Sequence, residues 1–128
     1  MDKTVRNHCI AVVDIFAGPG GLGEGFSSFM NGDGFHPFRS VLSIEKDPSA
    51  YRTLLLRSFY RHFDKYNIPD DYYRRLREEI SDEELYSKYP EQHSRALSEA
   101  WHAELGIVNQ QLVHKRVRQA IDKSLSWI

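Results

Sequence analysis

The chain has 128 residues, 41% of them hydrophobic and 27% charged, which suits one folded domain and argues against a disordered chain. Lys and Arg number 17 against 18 Asp and Glu, so the net charge of −1 gives no sign of a nucleic-acid binder. No apolar run approaches a membrane span, and the first eight residues contain no signal-peptide core. One cysteine, Cys9, excludes an internal disulfide, and a reducing, cytoplasmic setting is expected.

Taken in chain order, Cys9–Ile15 (CIAVVDI) is short, apolar and β-branched, and a glycine-rich stretch stops it. That composition predicts a strand covered on both faces, as in a parallel sheet. Residues 21–30 read as a first helix, with glycines that favour close backbone approach over helix propensity. Asn31-Gly-Asp-Gly34 is a turn signal, and Phe38–Ile44 (FRSVLSI) reads as a second strand. Asp47-Pro48 supplies an N-cap and a first-turn proline for a helix running to about Phe63. Strand, glycine loop, helix, strand, helix is the opening of a doubly wound α/β domain.

From residue 64 the pattern is helical. Pro69 and Asp70 open a helix expected to reach Ile80, and Ser81-Asp-Glu-Glu84 fits a capping box. A further helix should start near Pro90 and end at Gly106, the only glycine after residue 48, and a last one should cover about 107–124. Basic residues concentrate in 52–77 and acidic ones in 78–104. Oppositely charged helices lying side by side explain this better than a DNA face does. Tyr72-Tyr-Arg-Arg75 likewise reads as an amphipathic helix face before it reads as a stacking platform for nucleic acid. The histidines show no ligand spacing, so no metal site is expected. Trp101 and Trp127 read as packing residues.

Asp14–Phe26 (DIFAGPGGLGEGF) carries the chemistry. Gly18-Pro-Gly20-Gly-Leu-Gly23 formally matches G-x-G-x-x-G between a strand and a helix. Glycines let a ligand lie against the backbone, and a helix N-terminus offers free N–H groups to an anionic group. Alone, the pattern also suits a tight structural turn. Glu45 closes the second strand, where an acid can accept both hydrogen bonds of a ribose diol. Its plainer reading is a strand-end carboxylate that helps cap the next helix.

The stretch from Asp14 through Phe26 resembles the first motif of DNA (cytosine-5) methyltransferases, and Ile44-Glu-Lys-Asp47 followed by Ala50 resembles their second. Asp-x-Phe-Ala-Gly-x-Gly-Gly is far more specific than the bare glycine pattern. The likeness covers residues 10 to about 63. It implies a partial Rossmann-like, S-adenosylmethionine-dependent methyltransferase fold. Two parallel strands are recognisable, within a cofactor-binding βαβα unit over 9–63, and a largely helical extension follows over 64–128.

By position, the resemblance implies that Phe16 packs on the adenine. The backbone of Ala17, Gly18, Pro19, Gly20 and Gly21 approaches the methionine moiety, and Leu22 walls the pocket. Glu45 holds the ribose hydroxyls, Lys46 flanks the adenine, and Asp14 lies under the amino group. Residue by residue, Phe16 could equally be core and Asp14 a loop-fixing hydrogen bonder.

The family's nucleophile is a cysteine that follows a proline, and its thiolate adds to the flipped base. No Pro-Cys pair occurs in the chain, and Cys9 follows His8. The later glutamate, arginine and target-recognition motifs have no counterpart. Ala103-Glu-Leu-Gly106 is the candidate for the position of the adenine-binding aspartate motif, and Ser126-Trp-Ile128 for the start of the strand leading to the nucleophile. The resemblance therefore implies the N-terminal part of the catalytic domain, inactive alone, acting on double-stranded DNA only with the rest of the enzyme. With only two strands, self-association through open sheet edges is expected. Two other readings remain: an NAD- or FAD-type module using the same loop, and a non-catalytic fragment whose helices form a partner surface.

Overall fold

The computed structural model describes residues 9–121 and the backbone of Ser126–Trp127. It is an α/β structure. The elements are β1 (Ile10–Asp14), α1 (Gly21–Ser28), β2 (Phe38–Glu45), α2 (Pro48–Arg61), α3 (Asp70–Leu76), α4 (Asp82–Lys88), α5 (Pro90–Glu99), β3 (Ala100–His102), α6 (Gln110–Ile121) and β4 (Ser126–Trp127). The strands lie in the order β3-β2-β1-β4, and every neighbouring pair is parallel.

The two strands read from the sequence are the inner pair. Ile10 faces Phe38 at one end and Asp14 faces Ser43 at the other, with one irregularity: Val12 pairs with Ser40, but Val13 pairs with Leu42. Val41 is thus the extra residue of a bulge, which shifts everything after it by one place. The helix expected from Pro90 to Gly106 needs correction, because it ends at Glu99. Ala100–His102 leaves α5 directly as β3 and pairs with Ser43–Glu45. β4 lies beside β1, in agreement with a strand starting at Ser126; Ile128, residues 122–124 of the last helix and the Trp127 side chain fall outside the described residues. The sheet's outer strands are two and three residues long, so the expected drive to pair open edges is weaker than two bare strands would create.

Local chemistry fixes the helix starts. Asp47 caps α2 by accepting from the Ala50 N–H at 2.7 Å, with Pro48 in the first turn. Ser81 caps α4 by accepting from the Glu84 N–H at 3.1 Å. The helix expected through Ile80 stops at Leu76, because Glu78 takes a left-handed conformation (φ 60°) that no helix accommodates.

Helices cover both sheet faces. Adjacent β3 residues point to opposite sides. Ala100 joins a core built from α2, α4 and α5 around Leu54, Phe59, Leu85 and Ala96. Trp101 packs into a second core, where Leu42 and Ile44 meet Val117 and Ala120 of α6. The segregated charges pair between the two blocks, Arg75 of α3 with Asp82 of α4 and Arg74 of α3 with Glu79, and Lys88 of α4 also pairs with Asp71 of α3. Tyr72 packs against the first core, its ring 4.9 Å from that of Tyr60. No helix among the described residues is long and apolar enough to cross a membrane.

Candidate functional site

Parallel strands end together, so the residues that follow β1, β2 and β3 gather at one edge of the sheet. A groove of about 130 Å³ opens there, lined by Ile15 and Phe16 after β1, by Ile44, Glu45 and Lys46 at the end of β2, and by Ala103, Glu104 and Leu105 after β3. Three residues expected to share a site, Phe16, Glu45 and Lys46, do share it. The volume is well below the roughly 300 Å³ at which ligand pockets usually begin, so these walls have room for only part of a nucleoside-sized molecule. Phe16 is 79% exposed, which rules out its reading as a core residue.

The glycine loop is tied to the end of β2. The Ala17 N–H donates to the Ile44 carbonyl at 3.0 Å, and the Gly18 N–H donates to Glu45 Oε2 at 2.6 Å. Glu45 Oε1 accepts from the N–H groups of Lys46 and Asp47, each at 2.9 Å. The Asp47 N–H foremost, with those of Gly18 and Lys46, holds the Glu45 carboxyl below the usual glutamate range against the opposing effect of desolvation. A carboxylate has about four acceptor positions. Three are occupied by the protein's own N–H groups, so Glu45 fastens the loop and keeps one acceptor position toward the groove.

Asp14 Oδ1 accepts from the Phe16 N–H at 3.2 Å, so Asp14 does fix the loop beneath the ring. The Gly20 N–H donates to the Ala17 carbonyl at 3.0 Å. The amides of Ala17, Gly18 and Gly20 are therefore engaged within the protein, and Pro19 has none to give. What the loop offers a ligand is the start of α1. There the first intrahelical bond runs from Glu24 to Gly20, and Gly20 supplies no side-chain cap, so the N–H groups of Gly21, Leu22 and Gly23 have no capping partner among the described residues.

Two glycines serve distinct needs. Gly20 adopts φ 93°, and a Cβ there would stand 3.0 Å from the buried Leu54 Cδ1. At Gly21 a Cβ would meet nothing within 4 Å, so the space beside it is open for a ligand. Leu22 is 63% exposed and is not part of the groove lining, so it does not form the wall expected of it.

The third wall, Ala103–Leu105, falls within the stretch Ala103–Gly106 singled out in the sequence, and β3, which delivers it, has no strand pattern of its own there. The Ala103 N–H donates to the Glu45 carbonyl at 3.1 Å, continuing the β2–β3 ladder into the groove. Glu104 pairs with Lys46 at 3.6 Å across the rim. Beneath them His102 Nε2 lies 2.9 Å from the Lys46 carbonyl, and its ring stacks on Tyr51 of α2 at 4.8 Å between centroids. Tyr51 in turn donates to the Ala100 carbonyl at 3.3 Å. These links set the separation of the β2 and β3 ends.

No family model, curated protein or solved structure matches the chain.

Proposed function

We propose that this chain is the S-adenosylmethionine-binding N-terminal portion of a DNA (cytosine-5) methyltransferase, with a partial Rossmann-like fold. The observation that carries the reading is the meeting, in one groove, of an exposed aromatic ring after β1 and a carboxylate closing β2, with the glycine loop fastened between them. A sulfonium nucleoside asks for those three things: a flat apolar surface for its base, an acceptor for its ribose, and free N–H groups for its carboxylate. Phe16, the remaining acceptor position of Glu45 and the first turn of α1 can supply them. The strand order adds support, since 3-2-1-4 is the run found at the start of dinucleotide-type sheets, whose ligands bind beyond the carboxyl ends of the strands.

In the complete enzyme the methyl group would pass to cytosine in double-stranded DNA. The chain holds no Pro-Cys pair, and Cys9 precedes β1, which starts at the opposite sheet edge from the groove. By this reading the chain alone does not transfer methyl groups.

Titration of the isotopically labelled chain with S-adenosylhomocysteine tests the proposal. The amides of Phe16, Gly18, Gly21, Leu22 and Ala103 should shift together, and Glu45→Ala should weaken the response. Shifts with NAD but none with S-adenosylhomocysteine would replace the reading with a dinucleotide module. Robust incorporation of labelled methyl into DNA by this chain would overturn the expectation of inactivity.

A further inference from the structure

A cavity of about 330 Å³ opens at the sheet edge opposite the groove, between β2, the end of α5 and α6. It exceeds the roughly 300 Å³ at which ligand pockets usually begin. Arg39 and Val41 of β2, Glu99 of α5, and Arg116 and Ala120 of α6 line it. The bulge shapes its floor. Residues two apart on a strand share a face, so Arg39 and Val41 point the same way. Beyond the extra residue Leu42 and Ile44 take over that face, and Ala120 packs against the core they build as well as lining the cavity. Val41 and Ala120 thus give the cavity an apolar side next to the second core.

The charges around it are of both signs and do not meet. Among the described residues neither Arg39 nor Arg116 has a carboxylate partner, Glu99 included. The Arg116 guanidinium lies over the Trp101 ring at 4.3 Å and reaches only the Leu97 carbonyl, at 3.5 Å. Burial pushes its pKa below the usual arginine range, as expected of a cation stripped of water without a counter-charge. Glu99 Oε2 is engaged, since Ser58 Oγ donates to it at 2.8 Å and His62 Nε2 lies 3.1 Å away. Glu99 Oε1 has no partner among the described residues and, unlike Ser40 Oγ, is not closed off from solvent. An anion alone would confront Glu99 here, and a cation alone would confront two guanidinium groups; a zwitterion satisfies both. The geometry points to a second ligand site, away from the glycine loop, that takes a free α-amino acid with an apolar side chain: its carboxylate accepts from Arg39 and Arg116, its ammonium donates to Glu99 Oε1, and its side chain lies on Val41 and Ala120.

The test is an amide-shift titration of the full chain at near-neutral pH and constant ionic strength. Leucine should give saturable shifts at Arg39, Val41, Glu99 and Ala120 while residues 16–22 stay still. Three analogues each remove one feature: 4-methylpentanoate the ammonium, 3-methylbutylamine the carboxylate and glycine the apolar side chain. Each should bind at least about tenfold more weakly than leucine. Arg39→Gln and Arg116→Gln should each weaken leucine by a similar factor. Glu99→Gln, which can still accept from Ser58, should abolish the preference for leucine over 4-methylpentanoate. No saturable shift with leucine, equal binding of leucine and 4-methylpentanoate by the wild-type chain, or leucine binding unchanged in both arginine variants would overturn the proposal. The analogue series needs only the wild-type chain, so it decides the matter even if a variant fails to fold. Because the readout lies on the other sheet edge, it stands or fails independently of S-adenosylhomocysteine binding.

Discussion

The helical layer and the glycine loop rest on the same sheet yet treat their aromatic residues in opposite ways. Phe59 of α2 is fully buried and meets Phe63, Tyr86 and Tyr89 edge-on, with centroids 5.0 to 6.3 Å away. Phe16 leaves most of its ring in water. Burying an aromatic side chain is among the largest favourable terms available to a chain this size. The helical layer takes that gain, and the loop forgoes it to keep a flat surface open. Under the proposed function, stability and recognition are placed in different parts of the molecule, with the binding segment drawn from the less protected part.

The largest expected effect lies in the stable layer. Phe59→Ala should cost about 3–5 kcal/mol, a large share of a domain's usual stability, and denaturant unfolding should show an early or lost transition. A change below about 1 kcal/mol would mean the layer is not the foundation described. Gly20→Ala forces an alanine into a left-handed conformation against a buried leucine and should cost about 1–2 kcal/mol by the same measurement.

Glu45 joins the two regions, and its effect follows pH. Its carboxyl titrates below the ordinary glutamate value in the folded chain. The stabilisation is therefore complete above that ordinary value and is lost as pH falls through the lowered one. Against Glu45→Gln, the wild-type advantage should shrink on acidification, as read from urea midpoints across the acid range; an advantage that grew would contradict the loop-fastening role. Asp82→Ala, which breaks the partly exposed pair with Arg75, should cost under about 1 kcal/mol. Gly21→Ala should separate the regions most clearly. It improves helix propensity at an open position, so stability should hold or rise by about 0.5–1 kcal/mol while S-adenosylhomocysteine affinity falls.

The legible parts of the fold were those with local chemistry. β1, β2 and the glycine loop announce themselves by β-branched runs and clustered glycines, and α2 and α4 by the caps Asp47 and Ser81. β3 was hidden because Ala100-Trp-His102 has no strand pattern of its own; its conformation comes from pairing with Ser43–Glu45. The break at Glu78 was equally silent, since neither glycine nor asparagine marks it. At the site, residue identities were readable and their commitments were not. That Glu45 already holds Gly18, Lys46 and Asp47, and that Ala103–Leu105 forms the facing wall, depend on contacts between strands far apart in the chain.

The irregular pairing at Val41 has a wider consequence. Asp14 stands opposite Ser43; with Val41 paired in turn it would stand opposite Leu42, and every β2 residue beyond that point would sit about 3.3 Å further along relative to β1, with the opposite face toward each partner. One supernumerary residue in the middle of a strand thus sets how the end of β2, which carries Glu45, meets the end of β1, much as a shim sets the gap of a vise.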